Sequence, residues 1–192
     1  GACSENGRNV SIAGDITQTS TCSGGSWSAS LNISSLAEGT VSITASHTDA
    51  ASNTTTTAAR TFIKDATAPT LTLSSFNSGI YAGNKTHNIS FSLTDANLAA
   101  TPVAFSYSTD GGSTWTSIIA AVANVSPYAW SAPVINSTTV KIKIVATDIA
   151  GNQSMVISSS NLSFDSSVPV ISSLVINGGV ATTSSNSIPV NL

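Results

Sequence analysis

Polar and apolar residues alternate along most of this chain. The pattern is plain in GTVSITASHTD (39–49), THNISFSLTD (86–95), TTVKIKIVATD (138–148) and MVISSSNLSF (155–164). A period of two is typical of strands that bury one face, and short turns such as DGG, AGN and NGG separate the segments. No segment shows helical spacing with caps. The pattern therefore predicts an all-β protein made of antiparallel β-sandwiches.

Internal repeats divide the chain. Three segments return about 100 residues later, with similar sequences: ASHTDAASN (45–53) as VATDIAGN (145–152), DATAPTLTL (65–73) as DSSVPVISSL (165–174), and the segment from Phe76, FNSGIYAGNKTHNISFSL, as the segment from Ile176, INGGVATTSSNSIPVNL. A fixed period is the signature of tandem structural repeats. The repeats predict a domain at 1–65 that lacks its first strands, a complete domain at 66–166, and the first two strands of a further domain at 167–192.

Seven strands are predicted within the complete domain: PTLTLSSF, HNISFSLTD, VAFSYSTD, STWTSII, YAWSAPVI, TVKIKIVATD and QSMVISSSNLSF. Seven strands in about 100 residues suit an Ig-like sandwich. The chain as given is thus cut inside a domain at both ends. Two explanations stay open: a piece of a covalent tandem array, or a tail that completes the head of a neighbouring copy by strand addition, head to tail, to form a filament.

Composition excludes several partners. Charged residues make up 8% of the chain and the formal net charge is -3, so no basic surface for nucleic acid is expected. No apolar run is long enough to cross a bilayer, and membrane insertion is not expected. Cys3 and Cys22 have no Cys or His neighbours at zinc-site spacing, which predicts a disulfide and an oxidising compartment.

The repeated junction carries a family resemblance. The motif TD-x-A-(G/S)-N, followed by a strand and then by D-x-(T/S)-x-P, resembles the bacterial Ig-like repeats of large cell-surface adhesins and extracellular fibres. The resemblance covers nearly the whole chain and implies a position at the outside of a bacterial cell. It also implies that a receptor, glycan or protein, is bound elsewhere in the full protein.

Calcium is a second implication, because related repeats can bind it near domain junctions. The candidate ligands are hard oxygen donors close to the predicted junctions: Asp49, Asn53, Asp65, Asp148, Asn152 and Asp165. Asp95 is a weaker candidate. The alternative is that these side chains only cap turns through backbone amides, with no cofactor bound.

STDGGSTW (108–115) resembles the Asp box of sialidases and related glycan-active enzymes. A glycosidase needs a pair of carboxylates across a cleft, but the chain has two Glu, and its Asp residues mostly occupy turns and linkers. Arg8 and Arg60 both lie away from this box. The segment therefore predicts a structural hairpin rather than an enzyme, with these residues holding it: Ser108, Asp110, Gly112, Thr114 and Trp115.

Two functions remain open on the sequence. The first is a non-catalytic stalk or filament segment. The alternative is a carbohydrate-binding accessory module of a secreted glycan-active enzyme, which would need exposed aromatic rings. Trp27 and Trp115 are predicted to pack in the core, whereas Tyr128 and Trp130, which lie between prolines, are predicted to be partly exposed.

Overall fold

A computed structural model describes residues 1–179, 181, 184–187 and 189–191 of the chain. The chain forms two compact units. Unit 1 contains Gly1–Pro69, Asp95–Ala99 and Thr147–Gln153, and unit 2 contains Thr70–Thr94, Ala100–Ala146 and Ser154–Leu192. The domain boundaries at residues 65 and 166 stay a prediction, since the compact units assign two short later segments to unit 1.

Strands dominate the described part of the chain, as its alternating sequence requires. They are β1 Asn9–Gly14, β2 Gln18–Thr21, β3 Gly39–Thr48, β4 Thr54–Thr56, β5 Arg60–Lys64, β6 Thr70–Leu73, β7 Ile80–Ala82, β8 Thr86–Ile89, β9 Phe91–Thr94, β10 Leu98–Ser108, β11 Thr116–Val122, β12 Tyr128–Ser131, β13 Ser137–Asp148, β14 Gln153–Ile157, β15 Leu162–Asp165, β16 Val175–Ile176 and β17 Val190–Asn191. One short 3-10 helix covers Asn177–Gly179. Within the described residues, no helix is long and apolar enough to cross a membrane.

Unit 1 is built on one antiparallel sheet. Its order is β2-β1-β3, and both β4 and β5 pair with the remaining edge of β3. Val10, Ile12 and Val41 are buried on this sheet. Cys22 follows β2, is 1% exposed and is bonded to Cys3, so the predicted disulfide is confirmed.

Unit 2 is a sandwich. One sheet has the order β11-β10-β13-β15-β7, with β14 also on β13, and the strand pairs β6–β9 and β8–β12 supply the other layer. Every second residue of β13, the longest strand, is buried from Val140 to Asp148, as period two requires. The core combines both layers, with the following side chains nearly inaccessible: Ile89, Phe91, Val103, Phe105, Trp130, Val140, Ile142, Ile144, Leu162 and Phe164.

The all-β prediction is confirmed, and each of the seven strands predicted for the complete domain overlaps an observed strand. Two details differ. The last predicted strand is split into β14 and β15 around the buried Ser158. The short strand β7 was not predicted, since it pairs in parallel with β15 over only three residues and its Ile80 is exposed.

Candidate functional sites

Two turns of the same design follow the two long strands that repeat each other. In the first, the backbone N–H and the side-chain amide of Asn53 donate to the carboxylate of Asp49, each at 2.8 Å. In the second, Asn152 donates to Asp148 in the same two ways, also at 2.8 Å. The repeated D-x-x-x-N spacing therefore closes a turn in both places, as expected of Asp and Asn in tight turns.

These hydrogen bonds stabilise the ionised carboxylates. The pKa of Asp49 is lowered chiefly by the side-chain hydrogen bond from Asn53. For Asp148 the largest influence is burial, which opposes ionisation, but the donors on Asn152 and the neighbouring amides lower its pKa overall. Both groups are anionic acceptors at neutral pH.

An acidic cluster lies within unit 1, where three chain segments meet. Carboxylate oxygens of Asp65, Asp95 and Asp148 lie within 4.8 Å of one another. Asn97 donates its side-chain amide to Asp65 at 2.9 Å and its backbone N–H to Asp95 at 2.7 Å. The side-chain amide of Asn152 donates to the backbone carbonyl of Asp65 at 3.3 Å. The cluster thus brings three carboxylates close together, with amide donors that offset part of their repulsion. Carboxylate oxygens are also the ligands that calcium prefers.

The sequence-predicted metal ligands are only partly brought together. Asp65, Asp148 and Asn152 meet here, joined by Asp95 and by Asn97, which was not among the predicted ligands. Asp49 and Asn53 form their own turn, outside this cluster. Asp165 ends β15 in unit 2, where its carboxylate accepts the N–H of Ser167 at 2.8 Å, a bond that lowers its pKa.

Calcium binding stays a prediction for this cluster. If Asp65, Asp95 and Asp148 share a Ca²⁺ ion, about 10 mM CaCl₂ raises the melting temperature of unit 1, because Kd values of weak extracellular sites reach ~1 mM. Asp95→Asn is expected to abolish the shift. Asp49→Asn, in the equivalent turn outside the cluster, is the matched control and keeps it. If CaCl₂ does not change the melting temperature measured by calorimetry, calcium does not bind this cluster, and the carboxylates only accept hydrogen bonds from amides.

The hairpin between β10 and β11 is organised by Asp110. Its carboxylate accepts the hydroxyl of Ser108 at 2.6 Å, and both the N–H and the hydroxyl of Thr114, at 2.9 and 2.6 Å. Ser108 is buried and its oxygen accepts the N–H of Gly112 at 2.9 Å. Gly111 and Gly112 have φ values of 75° and 101°, which glycine adopts without strain. The structure thus places Ser108, Asp110, Gly112 and Thr114 in one hydrogen-bonded turn.

The same donors hold the pKa of Asp110 far below its ordinary value, with Ser108 first and Thr114 next. A depressed carboxyl pKa contributes stability that is complete above the unfolded-state value of 3.8 and is lost as the pH falls toward the folded-state value. Asp110→Asn is therefore expected to show a smaller fall in melting temperature between about pH 7 and about pH 2 than the native chain.

Thr114→Val is the matched variant for Asp110→Asn, because it keeps the charge and removes one donor. Its melting temperature is expected to fall on acidification by an amount between those of the native chain and Asp110→Asn. Equal falls in calorimetry for the native chain and Asp110→Asn would contradict the assignment.

The aromatic side chains are used mainly for packing. Trp130 is 4% exposed, so the prediction of an exposed Trp130 is wrong: its ring packs against Tyr107 and Phe164 across the sandwich. Tyr128 is half-buried and stacks on Phe105. The prediction that Trp27 and Trp115 pack in the core is wrong, because both are only half-buried. Trp115 lies beneath the ammonium group of Lys143, which is 4.2 Å from the ring centroid.

Unit 1 has an open apolar groove on its sheet. The groove measures about 370 Å³ and is lined in part by Ile12, Trp27, Ile43 and Ala45. A smaller hollow of about 130 Å³ shares Trp27 and Ala45 and includes His47, whose buried Nε2 atom has no hydrogen-bond partner. An apolar surface with a desolvated polar atom is unfavourable in water.

The segment after β15 exposes apolar side chains. They are Val168 at 79%, Val170 at 83%, Ile171 at 72%, Leu174 at 60% and Ile176 at 50% exposure. Its strands β16 and β17 pair with each other over two residues. A two-stranded pair of this size is marginal in water.

A family of Ig-like domains matches this chain, in agreement with its all-β architecture. The sequence model of the bacterial Ig-like domain (group 3) matches residues 25–154. A solved structure of fibronectin(III)-like modules of Clostridium thermocellum CbhA is 16% identical, with a TM-score of 0.47, and the alignment covers 86% of this chain and 81% of that chain. The search of curated proteins found no significant match.

Proposed function

Since this chain belongs to the family of bacterial Ig-like domains (group 3), we propose that it is a structural and adhesive repeat segment of a bacterial extracellular fibre or surface adhesin, without a catalytic role. The observation that carries the proposal is the use of the aromatic rings. Trp130 lies in the core of unit 2 and Trp115 lies beneath Lys143. A Trp ring that is buried in the core supports a stalk better than a ligand-binding module, which needs exposed rings.

The disulfide supports an extracellular location. Cys3–Cys22 joins residues on a unit that has one sheet, and such bonds form and persist in oxidising compartments. A covalent link here stabilises a small core outside the cell. Attachment to the cell surface belongs to the same proposal.

We propose further that copies of this chain assemble head to tail by strand complementation. Unit 1 exposes an apolar groove, and residues 168–176 expose apolar side chains. Residues 167–192 also repeat the sequence that forms the first strands of unit 2. A tail that enters the groove of the next copy buries both surfaces and generates an open filament.

Light scattering and electron microscopy over a range of protein concentrations test this function. The chain is expected to form assemblies whose mass grows with concentration, and a variant truncated after Ser166 is expected to stay monomeric. An intact chain that stays monomeric at every concentration overturns the filament role.

One observation favours the alternative, a carbohydrate-binding module. A hollow of about 410 Å³ lies between β11 and β12, lined in part by Tyr107, Tyr128, Trp130, Thr116 and Ser131. Soluble oligosaccharides separate the two functions. The stalk proposal expects no change in tryptophan fluorescence, and a saturable change that Tyr107→Ala removes would favour the module.

A further inference from the structure

We propose that the groove of unit 1 seats residues 184–191 of a second copy as a strand beside Trp27 and Ser28, in the register that β8 adopts with β12 in unit 2. This inference rests on the proposed head-to-tail assembly and names its contact. Unit 2 shows how such a contact is made, because its β8 corresponds to the incoming strand and its β12 corresponds to the segment that receives it.

The receiving segment is recognisable by sequence. Trp27-Ser28-Ala29 in unit 1 repeats Trp130-Ser131-Ala132 in unit 2. In unit 2 this segment forms β12, which pairs with β8 so that Trp130 lies opposite His87. In unit 1, residues 27–33 form no strand. The receiving segment is present, and the described part of unit 1 supplies no counterpart of β8.

The face beneath the missing strand is also present. Ile43 and Ala45 of β3 repeat Ile142 and Ile144 of β13, which are fully buried in unit 2. In unit 1 both residues are only half-buried and line the groove. Covering this face with another apolar strand removes it from water, at about 25 cal/mol for each Å² of apolar area.

The sequence of the tail matches the strand that does this in unit 2. SSNSIPVNL (184–192) repeats KTHNISFSL (85–93), which places Ile188 and Val190 at the positions of Ile89 and Phe91. Ile89 and Phe91 are buried in the core of unit 2. Val190 is 57% exposed in the free chain. The tail therefore carries apolar residues at the positions that fill the core.

The register follows from one pair of residues. In unit 2, Thr86 lies opposite Ser131, and their hydroxyl oxygens are 3.2 Å apart. The repeats place Ser185 of the second copy opposite Ser28. The backbone of Gly1 at present exchanges two hydrogen bonds with Trp27, at 2.8 and 2.9 Å, and the incoming strand replaces them.

Disulfide trapping between two differently labelled copies tests the register. One full-length copy carries Ser28→Cys and the other carries Ser185→Cys, so that a bond between the new cysteines requires two molecules. Residues directly opposite in an antiparallel pair lie within the Cα separation that a disulfide allows. Mild oxidation is expected to give a covalent dimer, with the new bond located by peptide mass mapping beside the native Cys3–Cys22 bond.

Two controls make the result specific. Asn186→Cys moves the thiol by one residue to the other face of the incoming strand, and loss of the dimer band is expected. Thr86→Cys with Ser131→Cys in one chain is the positive control, because that pair is already formed in unit 2.

The outcomes separate this inference from the filament proposal. Concentration-dependent assemblies that give no Ser28–Ser185 cross-link, or that cross-link equally through Asn186→Cys, overturn the proposed seat and leave the fibre standing. A specific cross-link in a chain that forms only closed dimers supports the seat and overturns the filament.

Discussion

Replacement of Phe164 by alanine is expected to lower the free energy of unfolding of unit 2 by about 3–5 kcal/mol, the usual cost of removing a buried aromatic side chain. Phe164 is 2% exposed on β15. Its ring centroid lies 5.3 Å from that of Tyr81, 5.6 Å from that of His87 and 5.7 Å from that of Trp130. Alanine leaves a cavity among rings that belong to both layers of the sandwich.

Guanidinium unfolding followed by tryptophan fluorescence measures this loss, since Trp130 contacts Phe164 directly. Phe164→Leu keeps most of the volume and is expected to cost less than Phe164→Ala. Phe62→Ala is the surface control, because Phe62 is 38% exposed on β5 in unit 1. A loss below ~1 kcal/mol for Phe164→Ala would show that the cluster is not part of the folding core.

Removing the disulfide has the second-largest expected effect. Cys3 and Cys22 are separated by 19 positions in sequence, and a cross-link that closes a loop of this size contributes about 3 kcal/mol, largely by restricting the unfolded chain. The effect is concentrated on unit 1, whose single sheet buries few large side chains. The double variant Cys3→Ser/Cys22→Ala is therefore expected to melt in unit 1 well before unit 2.

Calorimetry with and without a reductant measures the same difference in the native sequence. Reduction is expected to shift a transition assigned to unit 1, and Phe164→Ala assigns the other transition to unit 2. If reduction moves both transitions equally, or neither, the disulfide does not act on unit 1 alone.

Several strands of unit 2 could be predicted because apolar and polar side chains alternate along them. β13 is the clearest case: buried Val140, Ile142, Ile144 and Ala146 alternate with more exposed residues along the whole strand. β7 could not be found in this way, because a three-residue parallel strand depends on a partner that lies about 80 residues away. Local period carries no information about such a partner.

The candidate functional sites also combine local features, which the sequence predicts, with non-local features, which it does not. The D-x-x-x-N turns are local, and the repeat of Asp49–Asn53 as Asp148–Asn152 predicted that both would have one role. The cluster of Asp65, Asp95 and Asp148 is not local, since it joins residues from three separate segments. The sequence marked Asp95 only weakly and did not mark Asn97, although TDAN resembles the start of the other Asp turns.

Trp130 shows why exposure is difficult to predict from neighbours in sequence. Pro127 and Pro133 flank its strand and favour a surface turn. Burial is decided instead by the opposite layer, where Phe164 and Tyr107 contact the ring. The residues next to a side chain in sequence do not determine which side chains pack against it in the folded protein.

The parallel pair β7–β15 has a mechanical consequence. β7 lies near the first residues of unit 2, β15 follows its last long strands, and Ser163, Phe164 and Asp165 lie opposite Ile80, Tyr81 and Ala82. Tension on the chain on either side of this pair pulls two parallel strands lengthwise in opposite directions. The hydrogen bonds from Ser163 to Gly79 and from Gly83 to Asp165 then bear the load together and not one after another. This short parallel pair is thus placed to resist stretching in shear.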